Sequence, residues 1–94
     1  MSTHVLVRYE IIDESAYQRY LELAGPTLAP HGGSLVAKGT ETHHFEGGDS
    51  LSNFALLEFP NPDAAKAWYA SDSYAEAKNA RNGAGMMTLS IVES

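Results

Sequence analysis

The chain has no cysteine. That excludes a disulfide scaffold, a thiolate nucleophile and a cysteine-ligated zinc site. Positive charge is scarce as well: six Lys and Arg stand against twelve Asp and Glu, a formal net charge of −6. An acidic chain is repelled by phosphate backbones, so no nucleic-acid partner is expected. No apolar stretch approaches the roughly 20 residues of a membrane span. The opening Met1-Ser2-Thr3-His4 lacks the basic start and long apolar stretch of a secretory signal. The expectation is a cytoplasmic protein with no membrane contact. Also missing are a P-loop, a dinucleotide-binding glycine pattern, a nucleophile elbow and an HExxH pair. With 94 residues, 44 % apolar and 19 % charged, there is room for one core. Residues 1–94 are expected to form one domain.

What is present is ordered alternation. Val5, Val7, Tyr9 and Ile11 alternate with Leu6, Arg8, Glu10 and Ile12, which predicts a strand from Val5 to Ile12. Asp13, or Ser15 as part of a capping box, starts a helix. Tyr17, Tyr20, Leu21, Ala24 and Leu28 form its buried stripe, and Pro26 kinks or restarts it. Gly32-Gly33 ends that region. Ser34 to Gly47 reads as a long irregular strand with a bulge at Gly39, closed by a turn at Gly47-Gly48-Asp49-Ser50. Asn53 to Phe59 alternates again. Asn61-Pro62-Asp63 opens a helix carrying Ala64, Ala65, Trp68 and Tyr69. After a break near Ser71-Asp72-Ser73, a further helical piece places Tyr74, Ala77, Lys78 and Arg81 on one face. Met86 to Val92 is the last strand.

The order βαββαβ predicts an α+β, ferredoxin-like fold: a four-stranded antiparallel sheet with its helices on one face. The other face is then left bare with Leu6, Ile12, Phe54 and Leu56. Such a patch is larger than a monomer usually exposes, so a second copy packed sheet to sheet is the expected partner.

Several segments together resemble the family called domain of unknown function 1330. They are Asp13-x3-Tyr17-x2-Tyr20, Gly32-Gly33, Phe45-Glu46-Gly47, Glu58-Phe59-Pro60, Ala67-Trp68-Tyr69-x-Ser71 and Tyr74-x3-Lys78-x2-Arg81. The likeness runs from about Val5 to Val92 and departs from the usual pattern at Lys38-Gly39-Thr40. It implies a dimeric α/β barrel, in which two ferredoxin-like sheets pack face to face. Relatives with that barrel include cofactor-free monooxygenases, lactone isomerases and haem enzymes, which is an analogy of fold.

Four constellations can carry chemistry. Arg8, Glu10 and Glu58 can share one sheet face, as an acid/base pair beside a guanidinium or as an ion-pair cluster at a dimer rim. His43 and His44 point to opposite faces of a strand, so they cannot chelate one metal together. His44 is the candidate base, sharing a face with Thr40, Thr42 and Glu46. Tyr17, Tyr20, Trp68 and Tyr69 are either helix–sheet core or the wall of a flat pocket that also gathers Tyr74. Lys78 and Arg81, one turn apart, can hold a carboxylate or form a solvated face paired with Asp72 or Glu76.

The expected function is therefore a cofactor-independent enzyme acting on a small organic acid or aromatic compound, in a homodimer. Glu10, His44 and Glu58 are its catalytic candidates. Arg8, Tyr17, Tyr20, Trp68, Tyr74, Lys78 and Arg81 are its ligand-binding candidates. The alternative is a non-catalytic small-molecule-binding or assembly module. A third option is a metal or haem enzyme using His31, His43 or His44. With no convincing ligand spacing, neither a metal nor a cofactor is expected.

Overall fold

Strict alternation builds the first strand. Thr3, Val5, Val7 and Tyr9 are buried while His4, Leu6 and Arg8 between them are half-buried, and together they form β1 (Thr3–Tyr9). The structure, a computed structural model, describes residues 2–48 and 51–94. Asp13 caps α1 (Glu14–Ala24), its carboxylate accepting from the Ala16 N–H at 3.2 Å. Ser15 falls inside the helix. Pro26 ends the α-helical region, and the chain continues in two 3-10 turns, Gly25–Thr27 and Ala29–His31. There follow β2 (Ser34–Thr40) and β3 (Asn53–Phe59), then α2 (Pro62–Tyr69), capped by Asn61 with Pro62 at its first position. Ser71 caps α3 (Asp72–Ala80), and β4 (Met87–Glu93) closes the chain.

The sheet order is β2-β3-β1-β4, with every neighbouring pair antiparallel. All three helices cover one face. This is the ferredoxin-like α+β fold, a two-layer body only 17 Å across its thinnest axis. The core lies between the layers: Val5, Val7, Leu57 and Phe59 from the sheet meet Tyr20, Ala24, Ala65, Trp68, Tyr74 and Ala77 from the helices. Small residues at Ala24, Ala65 and Ala77 leave room for the aromatic ones.

The other face is bare. Its central row pairs Leu6 with Leu56 and Leu56 with Ala37, while Phe54 and Val92 lie in the flanking rows. Ile12 does not belong to it. β1 ends at Tyr9, the Ile12 N–H turns to the Ala84 carbonyl, and the side chain is 74 % exposed. Gly85, at φ 146°, permits this close crossing, because a Cβ there would strike the Glu10 carbonyl.

β2 departs from expectation twice. It stops at Thr40, not near Gly47, because the segment after it turns on its own side chains. Its bulge lies between Leu35 and Ala37, not at Gly39, whose missing Cβ instead admits the Phe54 ring. Of the turn expected at 47–50, Asp49 and Ser50 lie outside the described residues.

Candidate functional site

Among the described residues, a pair of hollows lies between the helices and the sheet. The larger, about 530 Å³, lies under α1 and is lined by Tyr9, Tyr17, Tyr20, Leu35, Leu57 and Trp68. Glu14, Gln18 and Lys38 add polar groups to its lining. The smaller, about 410 Å³, lies between α2 and β4, and Trp68 and Met87 border both. Volumes of this order suit small ligands.

The aromatic side chains form a connected series across this layer. Tyr9 stacks on Tyr17 with ring centroids 5.1 Å apart, Tyr17 meets Tyr20 at 6.0 Å, and Tyr20 meets Tyr74 edge-on at 6.3 Å. The Tyr20 and Tyr74 hydroxyls share a buried hydrogen bond of 2.9 Å. Trp68 packs on Tyr74 at 4.4 Å and on Phe59 at 5.4 Å. Its indole N–H donates to Thr27 Oγ1 at 2.9 Å, and the Thr27 hydroxyl donates in turn to the Ala24 carbonyl.

Burial sets the chemistry of these phenols. Desolvation pushes Tyr17 well above the usual tyrosine range, and the neighbouring Tyr9 hydroxyl and Glu14 push it further. Tyr20 is raised by burial and by Tyr74, against the pull of Arg81. Tyr74 is raised by burial, partly offset by its hydrogen bond with Tyr20 and by Arg81. All three are neutral at physiological pH. Tyr17 and one of the Tyr20–Tyr74 pair can donate to a carbonyl or carboxylate, the other proton of the pair being held in the hydrogen bond between them, and none of the three can act as a tyrosinate base.

The expected acid/base candidates lie elsewhere. Arg8 and Glu58 share the bare sheet face, but the register pairs Arg8 with Phe54 and Glu58 with His4. Four strand positions, roughly 13 Å, separate the two rows. Glu10 lies beyond the end of β1. The three therefore form no cluster. Glu58 instead meets His4 at 3.5 Å. Arg8 donates to the Leu51 carbonyl at 2.9 Å and lies 4.0 Å from Glu41. His44 sits in the segment after β2, with Nδ1 2.5 Å from Glu41 Oε1 and Nε2 2.8 Å from the Gly47 carbonyl oxygen. Both ring nitrogens are thus engaged within the segment itself.

Lys78 and Arg81 do not converge on one anion. Lys78 Nζ lies 4.3 Å from the Tyr69 ring centroid, whereas the Arg81 guanidinium stands 5.6 Å from that of Tyr20. His31, His43 and His44 do not gather: among the described residues no three His, Asp or Glu side chains are placed to hold a metal ion. His43 packs against Phe45.

Three lining residues are not legible as site residues in the sequence: Glu14, Gln18 and Lys38. Glu14 and Gln18 are one turn apart on α1, a spacing that marks a shared face but not what it borders. Lys38 reaches the helix side only because the bulge puts it on the same side as Leu35. Thr27 is a fourth omission; a threonine just after Pro26 at a helix end is a recognisable carbonyl-capping signal.

No helix among the described residues is long and apolar enough to cross a membrane. No curated protein matches the chain. Solved structures do. A protein of unknown function from Rhodopseudomonas palustris aligns at TM-score 0.81 and 20 % identity, covering 99 % of this chain and 82 % of that one. A dimeric ferredoxin-like protein of unknown function from Jannaschia sp. CCS1 aligns at 0.67 and 19 %, covering 100 % of both. SnoaB, a cofactor-independent oxygenase from Streptomyces nogalater, aligns at 0.68 and 9 %, covering 99 % and 92 %. At these identities the likeness is one of fold. The family model described as a domain of unknown function, DUF1330, matches residues 2–94.

Proposed function

This chain belongs to the DUF1330 family, and on that premise we propose that it is a homodimer, paired through the bare sheet faces, whose protomers each bind a small aromatic or carbonyl compound under α1. The observation that carries the binding reading is the 530 Å³ hollow itself. Its apolar aromatic walls hold neutral phenols and a few charged groups, the mixture that orients a flat polar ligand. Tyr17 and Tyr20 supply donors to the ligand's oxygen, and Lys38 supplies positive charge. No cofactor is part of this reading.

A second reading, catalysis without a cofactor, rests on Glu14. It lines the same hollow as Tyr9, Tyr17 and Tyr20, so one carboxylate base and neutral proton donors surround one bound compound. A cofactor-independent oxygenase of the same fold supports this by analogy alone.

The test of binding is a thermal-shift screen with small aromatic and keto acids. A ligand at about 100 times its dissociation constant adds roughly 2.7 kcal/mol of stability. Tyr17→Phe is expected to weaken that response about tenfold in affinity while leaving the unliganded melting point nearly unchanged. A ligand whose affinity ignores Tyr17→Phe does not bind here. Glu14→Gln separates the two readings: it abolishes turnover but not binding if the chain is an enzyme.

The dimer has its own test. Burying a leucine or phenylalanine side chain is worth about 1.5–3 kcal/mol, and each copy offers Leu6, Phe54 and Leu56 on its bare face. A dimeric neighbour of the same fold supports the pairing. Leu56→Glu places a carboxylate in the central row and is expected to yield monomers by sedimentation. A monomeric wild type at micromolar concentration overturns the dimer.

A further inference from the structure

The hollow between α2 and β4 differs in character from the one under α1. Its floor is apolar, with Val5, Leu89 and Ile91 from the sheet and Trp68 at its side. Its charged lining is of one sign: Lys66 and Arg81, with no Asp or Glu. Two of only six Lys and Arg in an acidic chain thus border one small cleft.

Neither cation is neutralised there. Among the described residues no carboxylate lies within salt-bridge range of Lys66 or Arg81. Arg81 is half-buried at the end of α3, and its Nε is a buried donor with no hydrogen-bond partner among the described residues. A buried donor left unpaired costs free energy, and a guanidinium does not escape the cost by losing its proton. Its contact with the Tyr20 ring and its hydrogen bond with the Tyr74 hydroxyl hold the guanidinium in place while leaving Nε unpaired.

We propose that this α2–β4 cleft is a second binding site, taking an amphipathic monocarboxylate whose carboxylate meets Arg81 and whose hydrocarbon part lies on Val5, Leu89 and Ile91. Lys66, exposed at the mouth, adds positive potential rather than a fixed contact. The fork of Arg suits the planar, two-oxygen geometry of a carboxylate. Trp68, the only tryptophan, borders the cleft and reports occupancy by its fluorescence.

The experiment titrates octanoate, and octan-1-ol as its uncharged counterpart, into the intact protein. Trp68 fluorescence gives affinity, and methyl NMR gives position. Octanoate is expected to saturate the signal and to shift the Leu89 and Ile91 methyls more than those of Leu21 and Leu35 under α1. Octan-1-ol is expected to bind at least about tenfold more weakly, since a charge-assisted contact is lost. Arg81→Gln is expected to weaken octanoate by a similar factor, Arg81→Lys by less. Lys66→Gln, at an exposed position, is expected to weaken it about threefold through lost attraction. Should Arg81→Gln fail to fold, the comparison of octanoate with octan-1-ol on the wild type still decides. Equal affinity for the two, no binding of octanoate, an affinity unmoved by Arg81→Gln, or shifts confined to Leu21 and Leu35 would each overturn the proposal. Shifts at Leu21 and Leu35 alone would speak for the hollow under α1 instead.

Discussion

Replacing Trp68 by alanine is expected to remove about 3–5 kcal/mol of stability, the range for deleting a buried aromatic side chain. Trp68 is 2 % exposed, and its ring packs against Phe59 and Tyr74. Three consequences add. The transfer free energy of the indole is lost. The hydrogen bond to Thr27 is lost, leaving a buried hydroxyl oxygen with one donor fewer. And because Trp68 borders both hollows, its removal merges two spaces of about 530 and 410 Å³ that the surrounding layer cannot close. Small domains are stable by only about 5–15 kcal/mol, so the variant should lose much of its margin. Trp68→Phe keeps most of the ring contact and is expected to cost far less, on the order of 1 kcal/mol for the N–H bond plus a smaller void. Denaturant midpoints at one fixed protein concentration measure both. A Trp68→Ala cost below about 1 kcal/mol would show that the indole is not the keystone of this layer.

That role was half legible in the sequence. Spacing placed Trp68 on an inward stripe of α2, as it placed Tyr17 and Tyr20 on α1 and Tyr74 on α3. Alternation placed Ala55, Leu57 and Phe59 against Phe54, Leu56 and Glu58, and β3 begins and ends where expected. Asn61-Pro62 marked the start of α2 without error, because a capping side chain and a proline act on the local backbone alone. Such signals survive any tertiary context.

What was not legible depends on pairing between distant segments. Tyr20 and Tyr74 each show their own helix face, but nothing in either segment says that the two hydroxyls meet at 2.9 Å. Arg8, Glu10 and Glu58 looked like a cluster because alternation reveals a face and not a register; the register sets Arg8 opposite Phe54. Lys38 became a lining residue through one extra residue in β2, and a bulge without glycine at its position leaves no mark in composition. His44 left its expected strand because Glu41 and the Gly47 carbonyl offered local partners. The fold was therefore readable from local rules, whereas the site needed the register of the strands.

The buried phenols lead to the other large effect, a collapse of stability at high pH. Tyr17, Tyr20 and Tyr74 all have folded-state pKa values raised above the ordinary tyrosine value, chiefly by burial. In the unfolded chain each titrates near 10. Below that pH both states hold these protons, and the groups contribute no pH dependence. Above it the unfolded chain releases protons that the folded protein retains, so fewer protons are bound unfolded than folded and stability falls as pH rises. One group sets a limiting slope of about 1.4 kcal/mol per pH unit, so three together approach about 4. Against a total of about 5–15 kcal/mol, the fold should be lost within roughly one to four pH units above 10. Far-ultraviolet circular dichroism and tyrosinate absorbance, followed together, are expected to show part of the tyrosinate signal appearing only as the fold is lost. Tyr74→Phe removes one of the three groups and should lower the limiting slope by about a third, although loss of the hydroxyl pair with Tyr20 costs on the order of 1 kcal/mol at neutral pH. If all five tyrosines ionise near pH 10 while the dichroism stays native, the phenols are not shielded as the structure places them. The role of Tyr17 and Tyr20 as neutral donors in the hollow under α1 then fails with them.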